Sequence, residues 1–105
     1  MSDPQQLLTQ DQIDDAGLAD WRRVGDALVA RFRTKSFAKG LELVNRIGAA
    51  AEAADHHPDI ALTYGAVGVT LSSHDAGGIT VRDVRLARAV DEAAAALGIA
   101  AVRDR

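Results

Sequence analysis

Ile60-Ala61-Leu62-Thr63-Tyr64-Gly65-Ala66-Val67-Gly68-Val69-Thr70-Leu71-Ser72-Ser73-His74 is two short runs about a glycine. Val67, Val69, Leu71 and Ser73 alternate with Gly68, Thr70 and Ser72. A period of two marks a strand with one buried face. The stretch therefore predicts an antiparallel hairpin, Ile60–Tyr64 against Val67–Ser73. A second hairpin lies upstream, where Trp21–Val24 and Ala27–Arg33 flank Gly25-Asp26. Leu28, Ala30 and Phe32 oppose Val29, Arg31 and Arg33 across that strand. A glycine in first place suits a two-residue turn.

Between the hairpins, Ser36 can cap a helix running to about Asp55. Leu41, Val44, Gly48 and Ala51 form one apolar stripe, and Leu43, Ile47, Ala50 and Ala54 an adjoining one, which predicts burial on more than one side. His57-Pro58 ends this helix, because the residue before proline is pushed out of the helical region. Thr80 opens a last helix with a capping box completed by Asp83. Its stripe is Val84, Ala87, Val90, Ala94 and Leu97, and Gly98 stops it. Thr9, with Gln12, caps a short first helix to about Leu18. Residues 1–8 read as a loose, flexible tail and residues 9–105 as a single domain. The order helix, hairpin, helix, hairpin, helix predicts an α+β fold. Its sheet has four antiparallel strands, with about three helices on one face.

The chain has 105 residues, enough for one hydrophobic core. It has no cysteine, which excludes disulfides, thiolate nucleophiles and Cys-ligated metal. A formal charge of −3 gives no basic excess for a nucleic-acid surface. No apolar run reaches the roughly 18–20 residues that span a bilayer. The first residues lack the basic start and apolar stretch of a signal peptide. A cytoplasmic domain without nucleic-acid or membrane partners is expected. Much of the 48% hydrophobic content is alanine, which buries little area. A homo-oligomer, dimer or tetramer, is the expected supplement.

The chain has three histidines, His56, His57 and His74. The second hairpin runs out and back, so it returns His74 to the edge from which His56 and His57 start. Glu52 stands one helical turn before His56. Imidazole is the side chain best suited to exchanging protons near neutral pH, and a carboxylate can hold its tautomer. The histidines, with Glu52, Asp55 and Asp83, form a candidate acid–base cluster. Each residue also has a plainer reading: His56 and His57 as a polar helix end, His74 as a surface loop residue, Glu52 as a solvated one, Asp83 as a helix cap. Gly77-Gly78 alone does not make a phosphate loop. Adjacent histidines in an extended segment point in different directions, so no metal site is expected.

Glu52-Ala53-Ala54-Asp55-His56-His57-Pro58, then Tyr64, His74 and Asp83, resembles the signature of the pterin-4a-carbinolamine dehydratase family. The likeness extends to Trp21, Arg31-Phe32, Phe37 and Thr70-Leu71-Ser72-Ser73-His74, and covers roughly residues 18–97. Ala53 stands where many members have lysine, and Ile60-Ala61 where some have Trp-Phe. The resemblance implies elimination of water from a 4a-hydroxytetrahydropterin to give the quinonoid dihydropterin, in tetrahydrobiopterin recycling. No metal or organic cofactor is implied. The substrate would come from a pterin-dependent aromatic amino-acid hydroxylase. The resemblance places His56, His57 and His74 in the catalytic site, with His56 and His74 as proton carriers and His57 as a binder. Pro58, Ser73 and Asp75 would contact substrate, and Glu52, Asp55 and Asp83 would orient imidazoles or accept bonds from the pterin. The other implied class is a non-catalytic dimerisation or assembly module of the same fold, in which the histidines would be lost.

Overall fold

The computed structural model describes residues 3–102. Residues 1–2 of the predicted tail and 103–105 of the predicted domain lie outside them. The elements are α1 (Gln10–Asp15), β1 (Arg22–Val24), β2 (Ala27–Arg33), α2 (Phe37–Ala54), β3 (Asp59–Thr63), β4 (Ala66–Leu71), α3 (Val81–Ala96) and β5 (Ala100–Val102).

Both predicted hairpins form. Gly25 turns β1 into β2 with φ 59°, a conformation that costs a residue with a Cβ. β3 and β4 pair from Asp59↔Thr70 to Thr63↔Ala66. The hairpins join through β2 and β4, which pair antiparallel from Leu28↔Leu71 to Arg33↔Ala66, giving the order β1-β2-β4-β3. The sheet has five strands among the described residues, not four. After Gly98, β5 returns to pair with Arg31–Arg33 of β2, on the edge whose other end holds β1. Three residues without alternation, paired to a distant strand, carry no local strand signal.

The period-two reading places the core. Leu28, Ala30, Phe32, Val67, Val69 and Leu71 are buried, whereas Arg31 and Arg33 face solvent. α2 and α3 lie together on that inner face through Leu43, Ile47, Ala51, Val84, Ala87 and Val90. Burying a side chain the size of Leu43 or Phe32 contributes about 1.5–3 kcal/mol. At Gly40, α2 lies close enough to the sheet that a Cβ would come within 2.7 Å of Leu62 Cδ1. Leu43 and Ile47 of one stripe are buried, with Ala51 of the other. Leu41 and nearby Phe37 are 44% and 48% exposed, because the helices form one layer and no described residue covers its outside there. Ahead of α1, Leu8 N donates to Ile79 O, so the segment read as a loose tail is tied at its end to the loop after β4.

Trp21 fastens the first hairpin to α3. Its indole meets the Phe32 ring edge-on and its Nε1–H donates to Asp91 Oδ1 at 2.9 Å. Burial raises the Asp91 pKa above the ordinary carboxyl value, and the Trp21 bond opposes that shift. A raised folded-state pKa stabilises the fold while the group is protonated, and this is lost as pH rises through the folded value. At neutral pH the ionised Asp91 is therefore a cost. Asp91→Asn keeps an acceptor for Trp21 and removes the charge. Thermal melts are expected to show a higher Tm for the variant at neutral pH, and no difference near about pH 3, below the ordinary carboxyl range.

Candidate active site

The α2 terminus determines where two imidazoles go. Asp55 takes φ 50°, in the left-handed region, and closes the helix with its N–H on Ala51 O and Glu52 O. His56 N also donates to Ala51 O, at 3.1 Å. The left-handed residue breaks the helical progression, so the next two side chains diverge. His56 turns inward and is only 9% exposed. His57 turns out and back over the last turn, where its Nε2 pairs with Glu52 Oε2. Glu52 thus holds His57 and not His56, the neighbour that uninterrupted helical spacing predicts.

His56 is held from inside. Its Nε2 lies 2.6 Å from Asp83 Oδ1, and Asp83 is fully buried. Asp83 Oδ2 accepts from Ser73 Oγ at 2.8 Å and from Thr80 N at 2.9 Å. Because the Ser73 hydroxyl proton is committed to Asp83, the Thr80 hydroxyl donates to Ser73 Oγ, at 2.8 Å. Asp83 is therefore both the predicted cap of α3 and the partner of a histidine. An acceptor at Nε2 fixes the neutral His56 as the Nε2–H tautomer, with its lone pair on Nδ1. Nδ1 reaches solvent, since Thr34 Oγ1 is the one fully buried side-chain polar atom without a partner among the described residues.

His74 sits just past β4, at the start of a loop closed on itself. Ser73 N donates to Gly78 O, and Gly77 N to Ser73 O, with Gly77 at φ 80°. Asp75 points away to Arg82 Nη2 at 2.8 Å and Gln5 Nε2 at 3.2 Å. The Arg82 bond holds the Asp75 carboxyl below the usual carboxylate range.

His57 and His74 line one cleft of about 300 Å³, with Asp26, Asp59, Thr70 and Ser72. Of the nine residues the sequence singles out, these two face it. His56, Ser73 and Asp83 form the buried support behind it. Glu52 braces His57, and Asp75 braces the loop. Asp55 acts through its backbone, and Pro58 starts the approach to β3. Ser72 and Thr70 were legible: they alternate with core-facing Val69, Leu71 and Ser73, so they belong to the opposite face. Asp26 reaches the cleft because Ser72 Oγ donates to its carbonyl at 2.8 Å, which ties the first hairpin turn to the end of β4. Two imidazoles and carboxylates around one cleft are equipped to deliver a proton and remove another. Among the described residues, no group of three or more His, Cys, Asp or Glu side chains is arranged to hold a metal ion. No helix there is long and apolar enough to cross a membrane.

The sequence profile of the pterin 4 alpha carbinolamine dehydratase family matches residues 6–93. A relative in Nocardia farcinica, named "Putative pterin-4-alpha-carbinolamine dehydratase", is 46% identical over 91 residues, which cover 85% of this chain and 96% of the relative. A relative of the same name in Thermomicrobium roseum is 44% identical over 90 residues, covering 79% and 97%. The crystal structure of a transcriptional coactivator/pterin dehydratase from Brucella melitensis superposes with a TM-score of 0.80 at 30% identity, over 85% of this chain and 99% of that one. A pterin dehydratase-like protein identified as a RuBisCO assembly factor in the alpha-carboxysome shares the fold, with a TM-score of 0.58 at 24% identity over 70% and 86%.

The two carboxylate–imidazole pairs differ in what they hold up. Asp83→Ala leaves three buried donors without an acceptor, each costing about 1–3 kcal/mol. Glu52→Ala removes an exposed pair and should change stability by less than about 1 kcal/mol. Urea unfolding of the two variants measures the contrast.

Proposed function

The chain belongs to the pterin 4 alpha carbinolamine dehydratase family, and on that premise we propose that it eliminates water from a 4a-hydroxytetrahydropterin. The observation that carries this reading is the convergence of His57 and His74 on one cleft, with His56 held behind it by Asp83. In the reaction the C4a–O bond breaks, the departing hydroxyl takes up a proton, and the ring loses its N5 proton as the C4a=N5 bond forms. The products are water and the quinonoid dihydropterin. No electrons leave or enter, so the balance calls for one acid and one base and no redox partner.

The family resemblance implies His56 and His74 as proton carriers, but His56 is buried on Asp83 behind the cleft, so the exchange falls to His57 and His74, which line it. Each lines the cleft, and imidazole transfers protons at neutral pH without a large driving-force penalty. Glu52 holds one nitrogen of His57, so the other is the one presented to substrate. His56, held behind the cleft by Asp83, supports its neighbour His57 from inside. Ser72 Oγ, whose proton goes to the Asp26 carbonyl, and Asp59 accept from N–H groups of the heterocycle, and Thr70 Oγ1 supplies a further hydrogen bond. The substrate is the product of a pterin-dependent aromatic amino-acid hydroxylase, and the enzyme serves recycling of that hydroxylase's reduced pterin in the cytoplasm. Exposed Phe37 and Leu41 on α2 give a homo-oligomer its contact face.

A second reading, a non-catalytic assembly module, draws support from the carboxysome assembly factor that shares the fold. Against it stands the complete set of histidines with their carboxylates.

The test is the ultraviolet decay of enzymically generated 4a-hydroxytetrahydropterin. The protein should accelerate it, and His57→Ala and His74→Ala should each slow the catalysed rate by about 10²-fold or more with the fold retained, the range typical of losing a general acid or base. Decay at the uncatalysed rate with wild-type protein would leave the assembly reading.

A further inference from the structure

The outer, helix-free face of the sheet carries a second depression of about 540 Å³, larger than the histidine cleft. The two share a wall: Asp59 and Thr70, opposite each other between β3 and β4, line both. Beyond that wall the floor passes over Val29, Gly68 and Ala61 to Arg31, the register partner of Gly68. The floor is low because Ala61 and Gly68 face each other with almost no side chain. A Cβ on Gly68 would meet only the Ala61 Cβ, at 3.9 Å. Two residues along a strand advance about 7 Å, so the row of Arg31 and Gly68 lies about 13 Å from Ser72 in the cleft.

The charges along this path are unevenly placed. Asp59 stands at the entrance, in one row with Thr70, Val29 and its β1 partner Arg22, and Arg31 stands in the next row, beside Gly68. Arg22 and Asp20 already have partners. Arg31 is exposed, and no ion pair joins it to another described residue. An anion beside the ring would meet Asp59. An anion at the end of a long tail would meet a guanidinium, which binds carboxylates with paired N–H donors.

We infer that this groove receives the C6 substituent of the substrate and selects a flat, extended tail that ends in a carboxylate. The inference rests on the pterin reading of the cleft. The ring lies at His57 and His74, the tail lies flat over Val29, Gly68 and Ala61, and the carboxylate meets Arg31. Arg31 is thus a specificity-determining residue, and the small side chain at position 61 keeps the groove open.

Calorimetric titration compares 6-methyl-7,8-dihydropterin, which has the ring and no tail, with 7,8-dihydrofolate, whose tail is aromatic and ends in carboxylates. The wild-type protein should bind dihydrofolate about tenfold tighter or more. Arg31→Gln removes the charge, and Ala61→Phe fills the floor at an exposed position. Each should reduce the ratio of the two Kd values to about threefold or less. Equal affinities in the wild type, or a ratio that survives both substitutions, overturns the inference. If the methyl ligand binds and the tail adds nothing, the pterin reading stands and the groove assignment alone falls. If the methyl ligand itself does not bind, both fall together.

Discussion

A single buried carboxylate holds the active-site side of this fold together. Asp83 closes the first turn of α3 through Thr80, grips the end of β4 through Ser73, and fixes His56 at the exit of α2. An unpaired buried carboxylate is costly, and so is each buried donor left without it. The three elements are consequently not free to shift independently. The loop that carries His74 begins at Ser73, one of the three donors, so the placement of that imidazole depends on the same group.

Around this anchor, backbone geometry separates two adjacent histidines into different tasks. The left-handed Asp55 sends His56 inward to a fixed partner and His57 outward to an exposed one. His56 is rigid and satisfied on one nitrogen. His57 is exposed and held by Glu52, which suits the proton exchange proposed for it. Proton transfer to a leaving group asks for such an arrangement: imidazoles with access to the ligand, backed by structure that does not yield. The sheet contributes its outer face. Ser72, Thr70 and Asp59 reach the cleft because strand alternation turns them away from the core.

Much of this was legible in the sequence because it depends on short-range periodicity. Alternation along residues 27–33 and 67–73 identified two hairpins and the faces they bury. Ser36 and the box at Thr80 and Asp83 marked helix starts. The fifth strand was not legible, since Ala100–Val102 carries no alternation and gains its identity only from pairing with β2. The pairing of Glu52 was missed because the i, i+4 rule assumes that the helix continues through His56, whereas it stops at Ala54. The family resemblance implies Ser73 as a substrate contact, whereas parity with Val69 and Leu71 places Ser73 on the core side and Ser72 on the side of the cleft. The groove toward Arg31 needs the register between β2, β4 and β3, which no single segment displays.

With one histidine held inside and two at the cleft, the imidazoles can be followed one by one. The most direct measurement is a titration of the protein with 6-methyl-7,8-dihydropterin, following the ring ¹⁵N and ¹H resonances of the three histidines by NMR. The account predicts that the His57 and His74 resonances move together and saturate with one Kd, while His56 Nε2–H stays bonded to Asp83 and nearly still. Resonances of His57 and His74 that do not respond to the pterin, or a response confined to His56, would contradict it.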